Sequence, residues 1–432
     1  MRRHPRLVLL LQCLAACLFL AGCWDAEDPE RTAHVVAIGM DAGAGGMLRF
    51  TFQVPVPAAL AGGGGAAGGA GGGGGGAAGQ VPRVWVETVE AGTVSDALRS
   101  LGDRLPRAPA LSHLQVVVIS ERVARQKSMG PLWDFLTRDV QARRAAQLVV
   151  CRGSAEEVLR FQPRLADIPA TGLVALLEHA ADTGSTISTP VGRFGIAVHT
   201  EGIQGVAAMV ELAPPESKLA PGGEPSGPER TTGQGGDTAR GAVPATPDLR
   251  AAGLAVFRGD RMVTTLSERE SRALSFVLRR ARRPLIRAVA PDSGAPVTAR
   301  VLSYRPEVKL VPGPAGWTGL VRLRVACELR EELTPTYFLE PSRARQLETA
   351  LAESLAADLR SVLRHTQEVG ADVFGFGWWL YRERPREWFA VRESWHEVYS
   401  HLPVDVRVEV VLRWEGLTTK SPMRPGTPGG DR

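Results

Sequence analysis

The chain has 432 residues, 44 % of them hydrophobic, which is enough to bury two or three cores. Its 51 basic and 46 acidic residues give a formal charge of +5; Arg2, Arg3 and Arg6 carry three of those charges, leaving +2 for residues 23–432, a balance that excludes a dedicated nucleic-acid binder. Of five cysteines only Cys151 and Cys327 lie beyond residue 23, so no disulfide framework is available; both sit in apolar, strand-like runs and are expected as buried free thiols.

The chain opens with the positive segment at Arg2, Arg3 and Arg6. The apolar run Leu7–Leu20, broken only by Gln12, follows, and then Ala21, Gly22 and Cys23. This is the layout of a secretory signal. The run is shorter than the roughly 20 apolar residues of a membrane span. Leu20-Ala21-Gly22-Cys23 resembles a bacterial lipobox, whose cysteine becomes the mature N-terminus and carries acyl chains. Residues 1–22 are therefore expected as a signal peptide and Cys23 as the lipidation site, with palmitate-type chains as the anchor. Each buried CH2 of such a chain contributes about 0.8 kcal/mol to membrane binding. An ordinary cleaved signal or an uncleaved anchor would also put residues 24 onward outside the cytoplasm.

Ala33–Met40 reads as an apolar strand, turned by Gly43, Gly45 and Gly46 into a second strand at Leu48–Val56. The glycine–alanine tract at residues 58–80 has nothing to bury. With a strand at Arg83–Glu90 beyond it, the tract is expected as an expanded loop inside a domain. Val94, Ala97, Leu98 and Leu101 recur at helical spacing in Thr93–Leu105. Strands follow at Leu114–Ser120 and Ala145–Cys151, with a short helix at Pro131–Asp139 between them. Ser154 with Glu157 three residues on is a capping-box pattern, and Ala170–Asp182 is helical. Residues 213–249, rich in Pro, Gly and Ser, read as an interdomain linker or a long surface loop. Ala251–Arg258 and Arg261–Thr265 form a hairpin across Gly259-Asp260. Ser267 with Glu270 opens a helix reaching Arg279, and strands follow near Thr298–Tyr304 and Gly319–Leu329. Leu347, Leu351, Leu355, Leu359 and Leu363 make one apolar stripe on a long helix from Ser342 to Val369, closed by Gly370; that stripe is expected to pack on the chain's own sheet. Val404–Trp414 alternates like a strand. The fold class is α+β: mixed, antiparallel-rich sheets packed with helices. The expected division is a mixed α/β region at 23–212, the linker at 213–249, a C-terminal α+β domain at 250–418 and a disordered tail at 419–432.

Motifs for chemistry are weak. In His396, Glu397 and His401 the second histidine comes one place too late for the zinc-helix spacing H-E-x-x-H, so the imidazoles leave different faces of a helix. Asp182–Thr186 spells DTGST, but it follows a helix and occurs once, which reads as a helix end running into a turn. Nucleophile elbows and phosphate-cradling loops are absent. No catalytic residue, metal site or cofactor is expected beyond the lipid on Cys23. Trp378, Trp379, Trp388, Trp395 and Trp414 crowd one stretch, with Phe374, Phe376, Tyr381 and Phe389 among them. Phe374, Phe376, Trp388 and Trp395 are expected in the core. Trp378 and Trp379 are adjacent and cannot both point inward, which makes this pair the candidate contact with a partner or with lipid.

The same stretch carries a family resemblance. DVFGFG at Asp372–Gly377, then Trp388, Trp395 and LPV at Leu402–Val404, followed by the terminal alternating strand, resembles the C-terminal module of spore germination lipoproteins of the Ger(x)C family. GCWD at Gly22–Asp25 and AHVVAIGMD after it resemble that family's mature N-terminus and first strand. GLAVFRGDRMVTTLSERESRAL at Gly253–Leu274 resembles the opening of its second half. The likeness covers both ends of the mature chain and most of its C-terminal half, while residues 114–212 match mainly in pattern. It implies several mixed α/β domains with antiparallel-rich sheets and no assigned chemistry. It implies the C subunit of a nutrient germinant receptor, lipid-anchored on the outer face of the inner spore membrane beside membrane-spanning A and B subunits, with no nucleic-acid partner. The alternative from the residues alone is a free-standing lipid-anchored protein that binds a solute or the cell wall.

Overall fold

The computed structural model describes residues 31–57, 83–163, 165–213, 248–313, 316–332 and 341–413. Cys23, the glycine–alanine tract, most of 213–249, Trp414 and the tail lie outside the described residues. Strands β1 (Thr32–His34), β2 (Ala37–Ala42), β3 (Leu48–Pro55) and β4 (Val84–Ala91) come first. β2, β3 and β4 form an antiparallel meander, and β3 pairs with β4 from Leu48↔Ala91 to Pro55↔Val84. The tract at 58–80 thus joins two neighbouring strands.

Next come α1 (Val94–Gly102), β5 (Ala108–Ala110), β6 (Val116–Ser120), α2 (Glu121–Gln126) and α3 (Gly130–Arg138). They are followed by β7 (Gln147–Arg152), α4 (Ala155–Arg160), α5 (Pro169–Thr183), α6 (Val191–His199) and β8 (Val206–Ala213). β1 and β5 pair as a small parallel sheet. β2, β6, β7 and β8 run parallel in the main sheet. Covered on both faces, these strands read as unbroken apolar runs rather than alternating ones. Val117, Ile119, Leu148 and Val150 face α1, α3 and α6, while Val116, Val118, Val149 and Cys151 face α4 and α5.

β9 (Asp248–Arg258) and β10 (Arg261–Leu266) are the hairpin expected after the Pro/Gly-rich segment. β9 also pairs antiparallel with β8, from Val206↔Val256 to Ala213↔Asp248. The main sheet therefore has eight strands in the order β10-β9-β8-β7-β6-β2-β3-β4 and runs across the 212/250 boundary. The Pro/Gly-rich segment joins two adjacent strands of one sheet.

The rest is α7 (Glu268–Val277), β11 (Leu285–Val289), β12 (Pro296–Gly313), β13 (Gly316–Glu332), α8 (Pro341–Glu368), α9 (Phe376–Glu383), α10 (Pro385–Val391), α11 (Trp395–His401) and β14 (Val404–Leu412). A second sheet has the order β11-β12-β13-β14, with β14 parallel to β13. β12 and β13 run longer than the sequence suggested: their ladder continues unbroken from Tyr304↔Val325 to Gly313↔Gly316, where Leu310 alone among residues 305–313 of β12 is buried and no sustained apolar alternation marks the strand. All five leucines of the α8 stripe are buried in one cluster with Val321, Leu323, Val325, Val406 and Val410, as expected of a helix packed on its own sheet.

Local chemistry explains the helix starts, with one correction. Ser267 and Glu270 form the expected reciprocal capping box. Ser154 is the N-cap residue of α4, but its side chain makes no cap bond. The free amides of Ala155 and Glu156 donate instead to Asp41 at 2.9 Å each, and Ser154 Oγ donates to the same carboxylate at 3.0 Å. A carboxylate from β2 supplies what the local box was expected to supply. Cys151 and Cys327 are free and buried. Burial pushes the Cys327 thiol up to about 12 and that of Cys151 higher still, so neither is nucleophilic.

Candidate functional site

Helix α8 ends where Gly370 turns the chain, and the next residues build the DVFGFG stretch around one carboxylate. Asp372 is 1 % exposed. Its Oδ1 accepts from the Gly375 amide at 2.8 Å; its Oδ2 accepts from the Gly377 amide at 2.8 Å and from Trp395 Nε1 at 3.1 Å. Burial pushes the carboxyl up to about 6, and these donors, with Phe376 N–H, pull against it. Tyr399 lies below, its hydroxyl 2.7 Å from Thr366 Oγ1 and pushed well above its usual range by burial and by the Asp372 charge. Phe374, Phe376, Trp388 and Trp395 are all buried, as expected.

A loop from the first half of the chain locks onto this knot. The Gln204 amide donates to Asp372 O at 2.9 Å, the Trp378 amide donates to Gly202 O at 2.8 Å, and Trp388 Nε1 donates to Glu201. Gly202 has φ +74°, and a Cβ there would lie 2.2 Å from Gly377 C. A Cβ on Gly377 would in turn meet Gly202 Cα at 2.7 Å. The two backbones touch, so both positions require glycine. Beside the contact an open cleft of about 720 Å³ is lined by Glu201, Gln204, Arg258, Trp388, Arg392 and His396.

The adjacent tryptophans diverge. Trp379 is half-buried and meets Trp317 edge-on at 6.2 Å. Trp378 is 36 % exposed and stacks on Tyr381 at 5.5 Å, and Tyr381 meets Phe389, 55 % exposed, at 6.4 Å. Arg382 lies 6.0 Å from the Trp378 ring centroid and Arg392 lies 5.5 Å from that of Phe389. Trp378, Tyr381 and Phe389 thus form an exposed aromatic ladder flanked by guanidinium groups, a composition enriched at interface hot spots.

The other sequence candidates do not join this site into a reactive group. His396 and His401 are exposed, and His401 Nδ1 is spent on Glu397 O at 3.0 Å. Asp182 sits near the end of α5, where left-handed Gly184 stops the helix. Among the described residues no three His, Cys, Asp or Glu side chains are grouped to hold a metal. Sequence reasoning missed Glu201 and Gly202. A short glycine-bearing loop carries no periodicity, and only its contact with residues 377 and 388 gives it meaning.

Both halves of the chain match known families. Residues 25–212 match the spore germination protein N-terminal domain, and residues 252–416 match the spore germination B3/GerAC-like C-terminal family. Spore germination protein KC of Bacillus subtilis (strain 168) is 25 % identical over 95 % of this chain and 96 % of its own length. Spore germination protein B3 of the same organism is 21 % identical over 89 % and 91 %. The crystal structure of the GerBC protein superposes with a TM-score of 0.52 at 16 % identity, covering 87 % of this chain and 96 % of that one, and supports the α+β fold. With both of its halves matched in order and its fold shared, the chain belongs to the Ger(x)C family of spore germination proteins.

Proposed function

We propose that this chain is the C subunit of a spore nutrient germinant receptor, held by acyl chains on Cys23 at the outer face of the inner spore membrane. It acts there by contacts with the membrane-spanning A and B subunits and performs no reaction of its own. The observation that carries the reading is the family match across both halves of the chain. Two features support it. No helix among the described residues is long and apolar enough to cross a membrane, in keeping with attachment through the lipobox-like Leu20–Cys23. The exposed ladder of Trp378, Tyr381 and Phe389 is a surface suited to a protein partner. Trp378 is the contact residue of the adjacent pair in this reading, and Trp379 supports it from behind through Trp317.

The test is affinity purification of tagged protein from spore inner membranes in mild detergent, followed by mass spectrometry. Two multi-span partners in comparable amount are expected. Recovery of the protein alone would overturn the receptor reading in favour of a free-standing binding lipoprotein. Cys23→Ala is expected to abolish incorporation of labelled palmitate and to release the chain from the membrane; label persisting on the variant would overturn the anchor assignment.

A further inference from the structure

The loop after α7 carries Arg279, Arg280, Arg282 and Arg283 within five residues. It closes the helix with two backbone bonds: Arg280 N–H donates to Ser275 O at 2.7 Å, and Arg279 N–H donates to Phe276 O at 3.1 Å. This paired closure requires the residue after the C-cap to be left-handed, a place glycine fills without strain. Here Arg279 fills it with φ 56°, the single non-glycine residue of positive φ among the described residues. A strained backbone persists where its surroundings over-determine it, and such positions cluster at binding sites. The surroundings do hold it: Arg283 N–H donates to Asp182 O at 2.9 Å, and Tyr304 Oη donates to Ala281 O at 2.8 Å.

Arg279, Arg280 and Arg282 line a cavity of about 390 Å³ with Arg193 of α6, facing Glu178 and Asp182 at the end of α5. Four guanidinium groups thus oppose two carboxylates. Asp182 lies 3.6 Å from Arg282, with the arginine largely in solvent. Arg279 Nη2 reaches Pro306 O at 3.4 Å. Arg193 and Arg280 have neither a side-chain hydrogen bond nor an ion pair among the described residues. A concave surface with surplus positive charge focuses its field on an incoming anion. The planar guanidinium fork matches the paired oxygens of a phosphoryl group.

We infer that this cavity binds a phosphoryl group, with Arg193, Arg279 and Arg280 as its donors. The inference stands apart from the receptor reading. The group has two available sources with the same chemistry: a free phosphate or diphosphate, and the headgroup of an anionic phospholipid.

The experiment uses residues 24–432, which lack the acylated cysteine, at low ionic strength. Inorganic pyrophosphate is titrated by calorimetry, and vesicles of phosphatidylglycerol or phosphatidylcholine are tested by flotation. Saturable binding is expected, weakened at least tenfold in Arg280→Gln and in Arg279→Gly and unchanged in Arg99→Gln, an exposed arginine that does not line the cavity. Arg279→Gly relieves the left-handed strain, so its melting temperature is expected to rise while affinity falls, which separates lost binding from lost folding. Binding to both pyrophosphate and phosphatidylglycerol, or to pyrophosphate alone, supports a free phosphate as ligand. Binding to phosphatidylglycerol vesicles alone supports the headgroup. The inference is overturned by no saturable binding to either probe, or by Arg279→Gly and Arg280→Gln binding as tightly as the unaltered chain.

Discussion

Asp372 is kept in place by three donors at the cost of burying its charge. The unfolded carboxyl titrates near 3.8 and the folded one at about 6, so between those values the folded chain keeps a proton that the unfolded chain has lost. Its contribution to stability is therefore full below pH 4 and is lost as pH rises through about 6. A shift of roughly two units corresponds to about 3 kcal/mol. Asp372→Asn removes the titration, and its amide faces one of the donating N–H groups, so it should be less stable than the natural chain at pH 4. Between pH 4 and pH 7.5 the gap should move by about 3 kcal/mol in the variant's favour, as read by urea unfolding at each pH. A gap that stays constant would show that Asp372 titrates as in solution. Gly202 poses a steric question instead. Gly202→Ala adds a Cβ that meets the Gly377 and Trp378 backbones at 2.2 and 2.4 Å in a left-handed residue. Strain plus overpacking predicts a loss of about 2–4 kcal/mol. Equal stability of the variant would mean that the loop does not dock as described.

At the scale of elements, α9 and α8 show what a sequence pattern can and cannot reveal. The leucine stripe of α8 was legible because every contact it needs repeats at a fixed spacing, and the Ser267–Glu270 box because both partners lie within one turn. The cap of α4 was not, because Asp41 reaches it from 113 residues away. Helix α6 was missed as well: Gly192 and Gly195 dilute its pattern, and only Val191 and Phe194 are fully buried. At α9 the sequence narrowed the outward residue to Trp378 or Trp379 but could not choose, since the choice depends on Trp317 of β13 packing against the second of them. The division of labour is testable. Trp379→Ala removes packing and should cost about 2 kcal/mol of stability. Trp378→Ala should leave the melting temperature within about 2 °C and weaken recovery of receptor partners roughly tenfold or more. Unchanged partner recovery with Trp378→Ala would remove the ladder from the interface.

At the scale of the whole molecule, the two family segments meet inside one sheet rather than across a linker. β9 belongs by sequence to the second segment, yet it hydrogen-bonds to β8 of the first along eight residues' length of strand. Its side chains alternate between two cores: Leu254 and Val256 join the cluster under α7 and α8, while Ala255 and Phe257 join the cluster under α1 and α3. Phe257 meets Phe194 of α6 edge-on at 4.8 Å. A chain cut between 213 and 248 would leave β8 with an open edge in one piece and bare Ala255 and Phe257 in the other. Unpaired edges and exposed apolar faces are what isolated fragments cannot sustain. The fragments 31–213 and 248–413, made separately, are therefore expected to show loss of near-ultraviolet circular dichroism and to aggregate, and to recover native signal when refolded together. The intact chain should unfold in a single transition, because β9 cannot leave one core without opening the other. Two well-separated transitions, or a fragment 248–413 that is monomeric and fully structured alone, would show that the shared strand does not couple the halves. In that case the Glu201–Gly202 contact with the Asp372 knot would be the main tie between them.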